Sequence, residues 1–363
     1  MRIAFYTSAH GYGHASRSFE IARALVAKDP EMEIFFMSSV PDSFFAADEH
    51  KRIQRRNCRL DVGIRQIDSL RMDLPGTLAD LELLEKQSAQ LVVEEADFLN
   101  NHEIKLALVD LPFLAFEAAH QAKIPAWGIS NFTWDWIYED YLDDYPKFQA
   151  HIERIRSAYC LAEGIFRLPF HHDMPEFRQI DDTPLVARKS ILGCHEARKR
   201  LQIDPEEKVV LFSFGGFGQE MNLASESVQA LKLITSDPSP WPGAPFTHLS
   251  NRELNRQGLR YCDLVAAADL VVTKLGYGIV SECIANQTAM VYTPRGQFRE
   301  YPILAEAVKR SLPAEEIWPD AFTSGEWVKI CLEVLERKMP PARDTDGIDF
   351  IVEKVFKILR TVC

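Results

Sequence analysis

Apolar residues along this chain fall into two alternating rhythms. Short apolar runs such as Ile3-Ala4-Phe5-Tyr6-Thr7 and Leu106-Ala107-Leu108-Val109 read as strands, and stretches with apolar residues three and four apart read as helices. In the first half this predicts strands at 2–7, 33–38, 106–110, 126–129 and 164–168, separated by helices at 16–27, 80–100 and 113–122. The second half opens on a helix near 195–201. Strands at 209–213, 246–249, 270–273 and 289–292 follow, alternating with helices at 262–268, 279–286 and 302–310. Such alternation calls for the α/β class, parallel sheets covered on both faces.

A chain of 363 residues exceeds one ordinary core and suits two domains. The polar, proline-bearing stretch Asp181-Asp182-Thr183-Pro184 reads as the link, giving domains at 1–183 and 184–341. Residues 342–363 form an amphipathic terminal helix, with Ile348, Ile351, Val352, Val355 and Ile358 at helical spacing. The prolines at 238, 240, 242 and 245 mark a surface loop.

Composition narrows the function classes. Hydrophobic content of 47% permits full cores in both domains. A net charge of −12 with no basic block argues against nucleic acid as a partner. Seven scattered cysteines, without a Cys-x-x-Cys pair or zinc spacing, read as reduced thiols. The amino terminus runs straight into a strand with no leader, and no apolar run approaches about 18 residues, so a cytoplasmic location is expected.

The chemistry begins where the first strand ends. Gly11-Tyr12-Gly13-His14 places glycines and an imidazole at a strand-to-helix turn, where ligands collect in parallel α/β domains. Gly11-x-Gly13-x-x-Ser16 is part of a dinucleotide fingerprint. The next strand, however, ends in Ser38-Ser39 and not in the acid that would hold a ribose. Tight packing of strand on helix is the plain alternative for the two glycines. The segment Asp269 to Glu282 repeats the logic: an apolar strand, then Lys274-Leu275-Gly276-Tyr277-Gly278, then a helix. Lys274 and the amides of Gly276, Tyr277 and Gly278 suit a diphosphate, and Glu282 suits ribose hydroxyls.

Two such sites in two halves of one chain resemble the GT-B glycosyltransferases. Gly11-Tyr12-Gly13-His14 resembles the glycine-rich His turn of the family 1 and family 28 enzymes, and Lys274 to Glu282 resembles their nucleotide-sugar box. The chain is also similar to the glycosyltransferase-like amino-terminal region of plant L-arabinokinases. That similarity runs through Ser130-Asn131-Phe132-Thr133-Trp134-Asp135-Trp136-Ile137-Tyr138, Arg167-Leu168-Pro169, Pro184-Leu185-Val186 and Phe214-Gly215-Gly216.

The resemblance implies two Rossmann-like domains facing a cleft, with the terminal helix crossing back to the first. It implies transfer of a sugar from a UDP- or dTDP-sugar to an acceptor hydroxyl, with the nucleotide sugar as co-substrate and no cofactor. In it His14 is the general base and Asp110 orients it, a partner that raises imidazole basicity; a strand-end capping residue is the other reading of Asp110. Gly215, Gly216, Lys274, Gly276, Tyr277 and Gly278 take the diphosphate without a metal, and Glu282 takes the ribose. Asp344-Thr345-Asp346, the one Asp-x-Asp, lies in a polar loop and not at a strand end. Tyr261 falls where the base is read, and Arg295, Arg299 and Glu300 fall where donor-sugar hydroxyls are met, unless that loop is simply solvated.

Acceptor-side candidates are Gly11, Gly13, Trp134 and Trp136, with Tyr138, Asp135 and Glu139 among the aromatics. The same aromatics suit the buried face of a helix. Asp68, Arg71 and Asp73 are unassigned. Counting back eight from Glu282 lands on Lys274, so the first acid of the retaining Glu-x7-Glu pattern is absent and inversion is expected. A nucleotide-sugar epimerase of the same fold and a non-catalytic nucleotide-sugar sensor are the alternatives.

Overall fold

The computed structural model describes every residue except Ala9, 42–51, 68–70, 215–225, 237–245, Arg295 and Cys363. The chain divides into two units. The first comprises Met1–Arg65, Met72–Val186 and Asp344–Cys363, and the second comprises Gln66–Arg71 and Ala187–Arg343.

In the first unit, strands β1 (Arg2–Thr7), β2 (Glu33–Met37), β3 (Ile53–Arg56), β4 (Leu106–Asp110), β5 (Ala126–Ser130), β6 (Gly164–Arg167) and β7 (Ile180–Asp182) form one sheet. Their order is β3-β2-β1-β4-β5-β6-β7 and every pairing is parallel. The helices between them are α1 (Gly11–Lys28), α2 (Leu74–Asn101), α3 (Phe113–Gln121), α4 (Trp134–Glu139) and α5 (Phe148–Tyr159). The central strands β1, β4 and β5 are buried almost throughout, as their apolar runs require.

Two strands of this sheet were not legible as apolar runs, and both are at its edges. β3 is Ile-Gln-Arg-Arg with exposed positions, and β7 contains Asp181 and Asp182, which the composition suggested as a linker. An edge strand is held by one neighbour and needs no apolar run. The chain therefore leaves the first unit after Val186 and not before Pro184.

The second unit opens with α6 (Gly193–Arg200) and carries β8 (Val209–Ser213), β9 (Lys232–Thr235), β10 (Phe246–His248), α7 (Asn251–Arg256) and α8 (Tyr261–Ala267). After these come β11 (Leu270–Lys274), α9 (Tyr277–Asn286), β12 (Ala289–Thr293), α10 (Tyr301–Ser311), β13 (Ala314–Glu316), α11 (Pro319–Ser324) and α12 (Trp327–Leu335). The sheet order is β10-β9-β8-β11-β12-β13, again all parallel. Trp327 of α12 is fully buried and meets Phe212 of β8 edge to face, with centroids 5.3 Å apart, in a core shared with Val272 and Val291. Among the described residues no helix is long and apolar enough to cross a membrane.

Each sheet thus reverses direction once, between β1 and β4 in the first and between β8 and β11 in the second. At such a switch point neighbouring connections run to opposite faces and leave a crevice outside the carboxyl ends of the strands. In the first unit the register sets Thr7 beside Asp110 at that point; in the second it sets Ser213 beside Thr273.

The final helix, α13 (Gly347–Val362), belongs to the first unit and packs on α1. Ile351, Val352, Val355 and Leu359 are its buried stripe, while Lys28 pairs with Glu353 and Lys354 reaches Asp181 at 2.9 Å. The helix starts at a glycine because space demands it: a Cβ at Gly347 would stand 2.8 Å from Val186 Cγ2 and closer still to the Pro184 carbonyl oxygen. Gly347→Ala is expected to cost about 1–3 kcal/mol through this overlap. It should lower the thermal midpoint by roughly 2–4 °C per kcal/mol, measured by differential scanning calorimetry.

Candidate active site

His14 and Asp110 meet at the first switch point. Helix α1 begins within the glycine turn after β1, and His14 on its first turn points its Nδ1 at Asp110 Oδ1, 2.8 Å away. Asp110 ends β4 and is fully buried, while His14 is 6% exposed. A carboxylate with no exposure to water is stable only if its lone pairs are filled. Here Arg17 Nε donates to Oδ2 at 2.7 Å, Arg17 Nη2 donates to Oδ1 at 2.6 Å, and Ser18 Oγ donates to Oδ2 at 2.9 Å. Burial alone raises a carboxyl's pKa, but the charges of Arg17 and His14 override it and hold Asp110 well below the usual range. Asp110 is therefore an anion throughout the physiological range.

Arg17 and Ser18 were not recognised as site residues in the sequence. The signal was spacing: residues three and four beyond His14 share its helix face. Arg17 also donates to Asn131 Oδ1 at 3.1 Å and to Ser130 Oγ at 3.4 Å, which joins the end of β5 to the same cluster.

The facing carboxylate favours one His14 tautomer. Nδ1 lies 3.0 Å from Arg17 Nη2 as well as 2.8 Å from Asp110 Oδ1. Nη2 has two hydrogens: Asp110 Oδ1 takes one at 2.6 Å, and Ser130 Oγ at 3.4 Å competes with His14 Nδ1 for the other. A bare Nδ1 would set its lone pair against the carboxylate. The Nδ1–H form leaves the Nε2 lone pair as a base.

The glycines around this site differ in purpose. A Cβ at Gly13 would meet nothing within 4 Å, so packing of strand on helix does not explain that residue. The adjacent Tyr12 is half exposed, and Gly11 is the first residue of α1. Gly63, by contrast, has φ +68° and lies under His10, whose Cβ would be 2.5 Å from a Cβ placed there. His10 Nδ1 accepts from the Ile64 amide at 3.2 Å and its ring meets Trp134 edge to face. His10 thus holds the turn in place.

The aromatic segment resolves in favour of the core for two of its three rings. Trp134 is 1% exposed, donates from Nε1 to Asp61 Oδ2 at 2.9 Å and packs beneath the histidine turn, so it presents no face to an acceptor. Tyr138 is equally buried and donates to the Gly63 carbonyl at 2.7 Å. Trp136 is half-buried and stacks on His172 with centroids 4.6 Å apart. Asp135 and Glu139 turn to Arg156, Asp135 at 3.0 Å. Next to them Glu176 is pushed up to about 7, first by burial and then by the charge of Asp135. Asp73 is the N-cap of α2 and accepts from the Gly76 amide at 2.8 Å. Asp68 lies outside the described residues.

The second switch point carries the other set. Lys274 is the last residue of β11 and is half-buried, and Gly276 caps α9, where a Cβ would again meet nothing within 4 Å. Tyr277 is buried and Gly278 half-buried on the first turn. Neither α1 nor α9 has an acidic residue in its first turn to offset the positive end of its dipole. Gly215, Gly216 and Arg295 lie outside the described residues. Arg299 is half-buried and Glu300 is buried at the start of α10, so that stretch is not a solvated loop there.

Tyr261 and Glu282 are brought together by a residue the sequence did not single out. Arg188, just past the unit boundary, donates from Nε to Glu282 Oε1 at 2.6 Å, and its guanidinium lies 5.7 Å from the Tyr261 ring centroid. Tyr261 in turn donates its hydroxyl to Ser213 Oγ at 2.5 Å, at the carboxyl end of β8. Glu282 is buried, and its partner is a cation from the preceding segment, a pairing that no local spacing encodes. Asp344 and Asp346 lie in the loop before α13 in the first unit, where Asp344 accepts from the Asp346 amide at 2.9 Å.

No family model matches the chain. L-arabinokinase of Arabidopsis thaliana is 29% identical over 334 residues, covering 90% of this chain and 31% of that protein. The chain therefore spans about a third of the length of that relative. An uncharacterized glycosyltransferase of Methanopyrus kandleri, MK0977, is 23% identical over 270 residues, 70% of this chain and 75% of the relative. Among solved structures, a UDP-glucosyltransferase from Polygonum tinctorium matches with a TM-score of 0.61 at 14% identity, over 99% of this chain and 93% of that one. The architecture is the GT-B fold, as the sequence motifs implied.

Two stability measurements follow from the geometry. Asp110→Asn leaves the Arg17 charge buried without its counter-ion and should cost about 3–5 kcal/mol at pH 7. Because the folded carboxyl lies below its unfolded value, the stabilisation is complete above about pH 4 and is lost as the pH falls further, so the gap in thermal midpoint should narrow in acid. Glu176 has the opposite sign. The folded protein retains a proton that the unfolded chain releases near pH 4.5, so its contribution falls between pH 4.5 and about 7. Glu176→Gln should therefore raise the midpoint relative to wild type more at pH 8 than at pH 5.

Proposed function

We propose that the protein transfers a sugar from a nucleotide-diphosphate donor, a UDP- or dTDP-sugar, to an acceptor hydroxyl with inversion at the anomeric carbon. The observation that carries this reading is the buried His14–Asp110 pair at the first switch point, whose Nδ1–H form would leave the Nε2 lone pair as the base. Glycosyltransferase relatives and the GT-B fold support it.

In this reading Nε2 of His14 takes the acceptor hydroxyl's proton as the oxygen attacks the anomeric carbon. The bond from that carbon to the diphosphate oxygen breaks on the opposite face, and the nucleoside diphosphate leaves with the electron pair. Lys274 and the amides at the start of α9 take up that charge, and Tyr261, Arg299 and Glu300 contact the donor. Glu282, tied to Arg188, serves the ribose side. With a neutral imidazole the His14–Asp110–Arg17 cluster carries no net charge, and it becomes a single cation once the acceptor's proton arrives.

His14→Ala should lower transfer by about 10²–10⁴-fold, the usual share of a general base. Binding of UDP, followed by thermal shift, should survive the substitution. Loss of UDP binding together with turnover would make His14 a structural residue and end this assignment.

A further inference from the structure

A carboxylate beside a lone imidazole can rotate about its Cβ–Cγ bond, and each rotation changes which oxygen meets Nδ1. Asp110 has no such freedom. Arg17 grips it fork to fork, Nε on Oδ2 at 2.7 Å and Nη2 on Oδ1 at 2.6 Å, which fixes the carboxylate plane as well as its charge. Arg17 is itself 6% exposed and anchored on its far edge by Asn131 and Ser130. We infer that Arg17 is a positioning residue for the base: its fork on Asp110, more than the Asp110 charge alone, selects the Nδ1–H tautomer of His14 and aims Nε2 at the acceptor. This rests on the reading of His14 as the base.

The inference has a particular physical content. Arg17 Nη2 stands 3.0 Å from His14 Nδ1, close enough to donate to it. It would do so if its hydrogens were not directed elsewhere, and His14 would then carry its proton on Nε2 and could accept none from a substrate. The fork turns one Nη2 hydrogen onto Asp110 Oδ1, and Ser130 Oγ at 3.4 Å offers the second an acceptor other than His14. A lysine keeps the charge but, as a single-point donor, cannot hold the carboxylate plane.

Long-range ¹H–¹⁵N correlation spectra of the histidine rings read the tautomer directly, with His14 assigned by the signal lost in His14→Gln. In its neutral form the wild-type His14 ring should be found as Nδ1–H only. Arg17→Gln should lose that single form and give a mixture with Nε2–H, and Arg17→Lys should recover it in part. An unchanged Nδ1–H signal in either folded variant would overturn the inference, as would a wild type found as Nε2–H. If Arg17→Gln does not fold, Arg17→Lys and the wild type decide. UDP affinity, which belongs to the second unit, should stay within twofold in the folded variants. A wild type that binds neither UDP nor dTDP would instead sink the functional reading and leave the tautomer result standing.

Discussion

One buried anion organises the first unit. Asp110 sits at the end of a central strand without contact with water, a position that costs several kcal/mol for an unpaired carboxylate. Among the described residues its side-chain partners come from one helix face, at His14, Arg17 and Ser18. That face can reach it only because β1 and β4 are neighbours in the sheet, with Thr7 in register beside Asp110. The turn after β1 must then enter its helix at once, so that the first turn of α1 already stands over the end of β4. Strand order, glycine turn and imidazole orientation are thus consequences of satisfying a single carboxylate.

The second unit repeats the theme with different residues. Glu282, also buried, is held by Arg188, and Arg188 lies against Tyr261, whose hydroxyl is tied to the end of β8. In both units a carboxylate and an arginine form the polar floor at a switch point, and a glycine with open space above its Cα stands next to it, Gly13 in one and Gly276 in the other. The difference lies in what is presented. The first floor carries an imidazole, a group that moves protons; the second carries a lysine and a helix N-terminus, groups that hold negative charge. The proposed transfer calls for both kinds of group, one to take a proton and one to hold the charge of a departing diphosphate.

Much of this was legible in the sequence, for reasons that vary with the residue. Most buried central strands were readable because a strand covered on both faces must be apolar along its length, whereas Ile53–Arg56, Ile180–Asp182 and Ala314–Glu316 escaped because edge strands need not be, and the short interior strand Lys232–Thr235, which opens on a lysine, escaped as well. Asp110 and the Lys274 turn were readable because each ends an apolar run, where position alone marks a strand terminus, and His14 because it follows two glycines in the turn after such a run. Arg17 was within reach of spacing arguments, lying one turn past His14. Arg188 was not, because its partner Glu282 is distant in sequence and only the fold joins them. Trp134 shows the converse: aromatic residues near a site read equally well as a binding wall or as core, and burial under the His10 turn decides for core.

The central claim is that the second switch point holds a nucleotide-diphosphate sugar while the first supplies the base. Thermal stabilisation of the purified protein by a panel of UDP- and dTDP-sugars and by the bare diphosphates tests it most directly. A ligand at a hundredfold excess over its dissociation constant stabilises by about 2.7 kcal/mol. The account predicts a clear upward shift for one sugar nucleotide and a smaller one for its diphosphate. No shift from any member of the panel would contradict it.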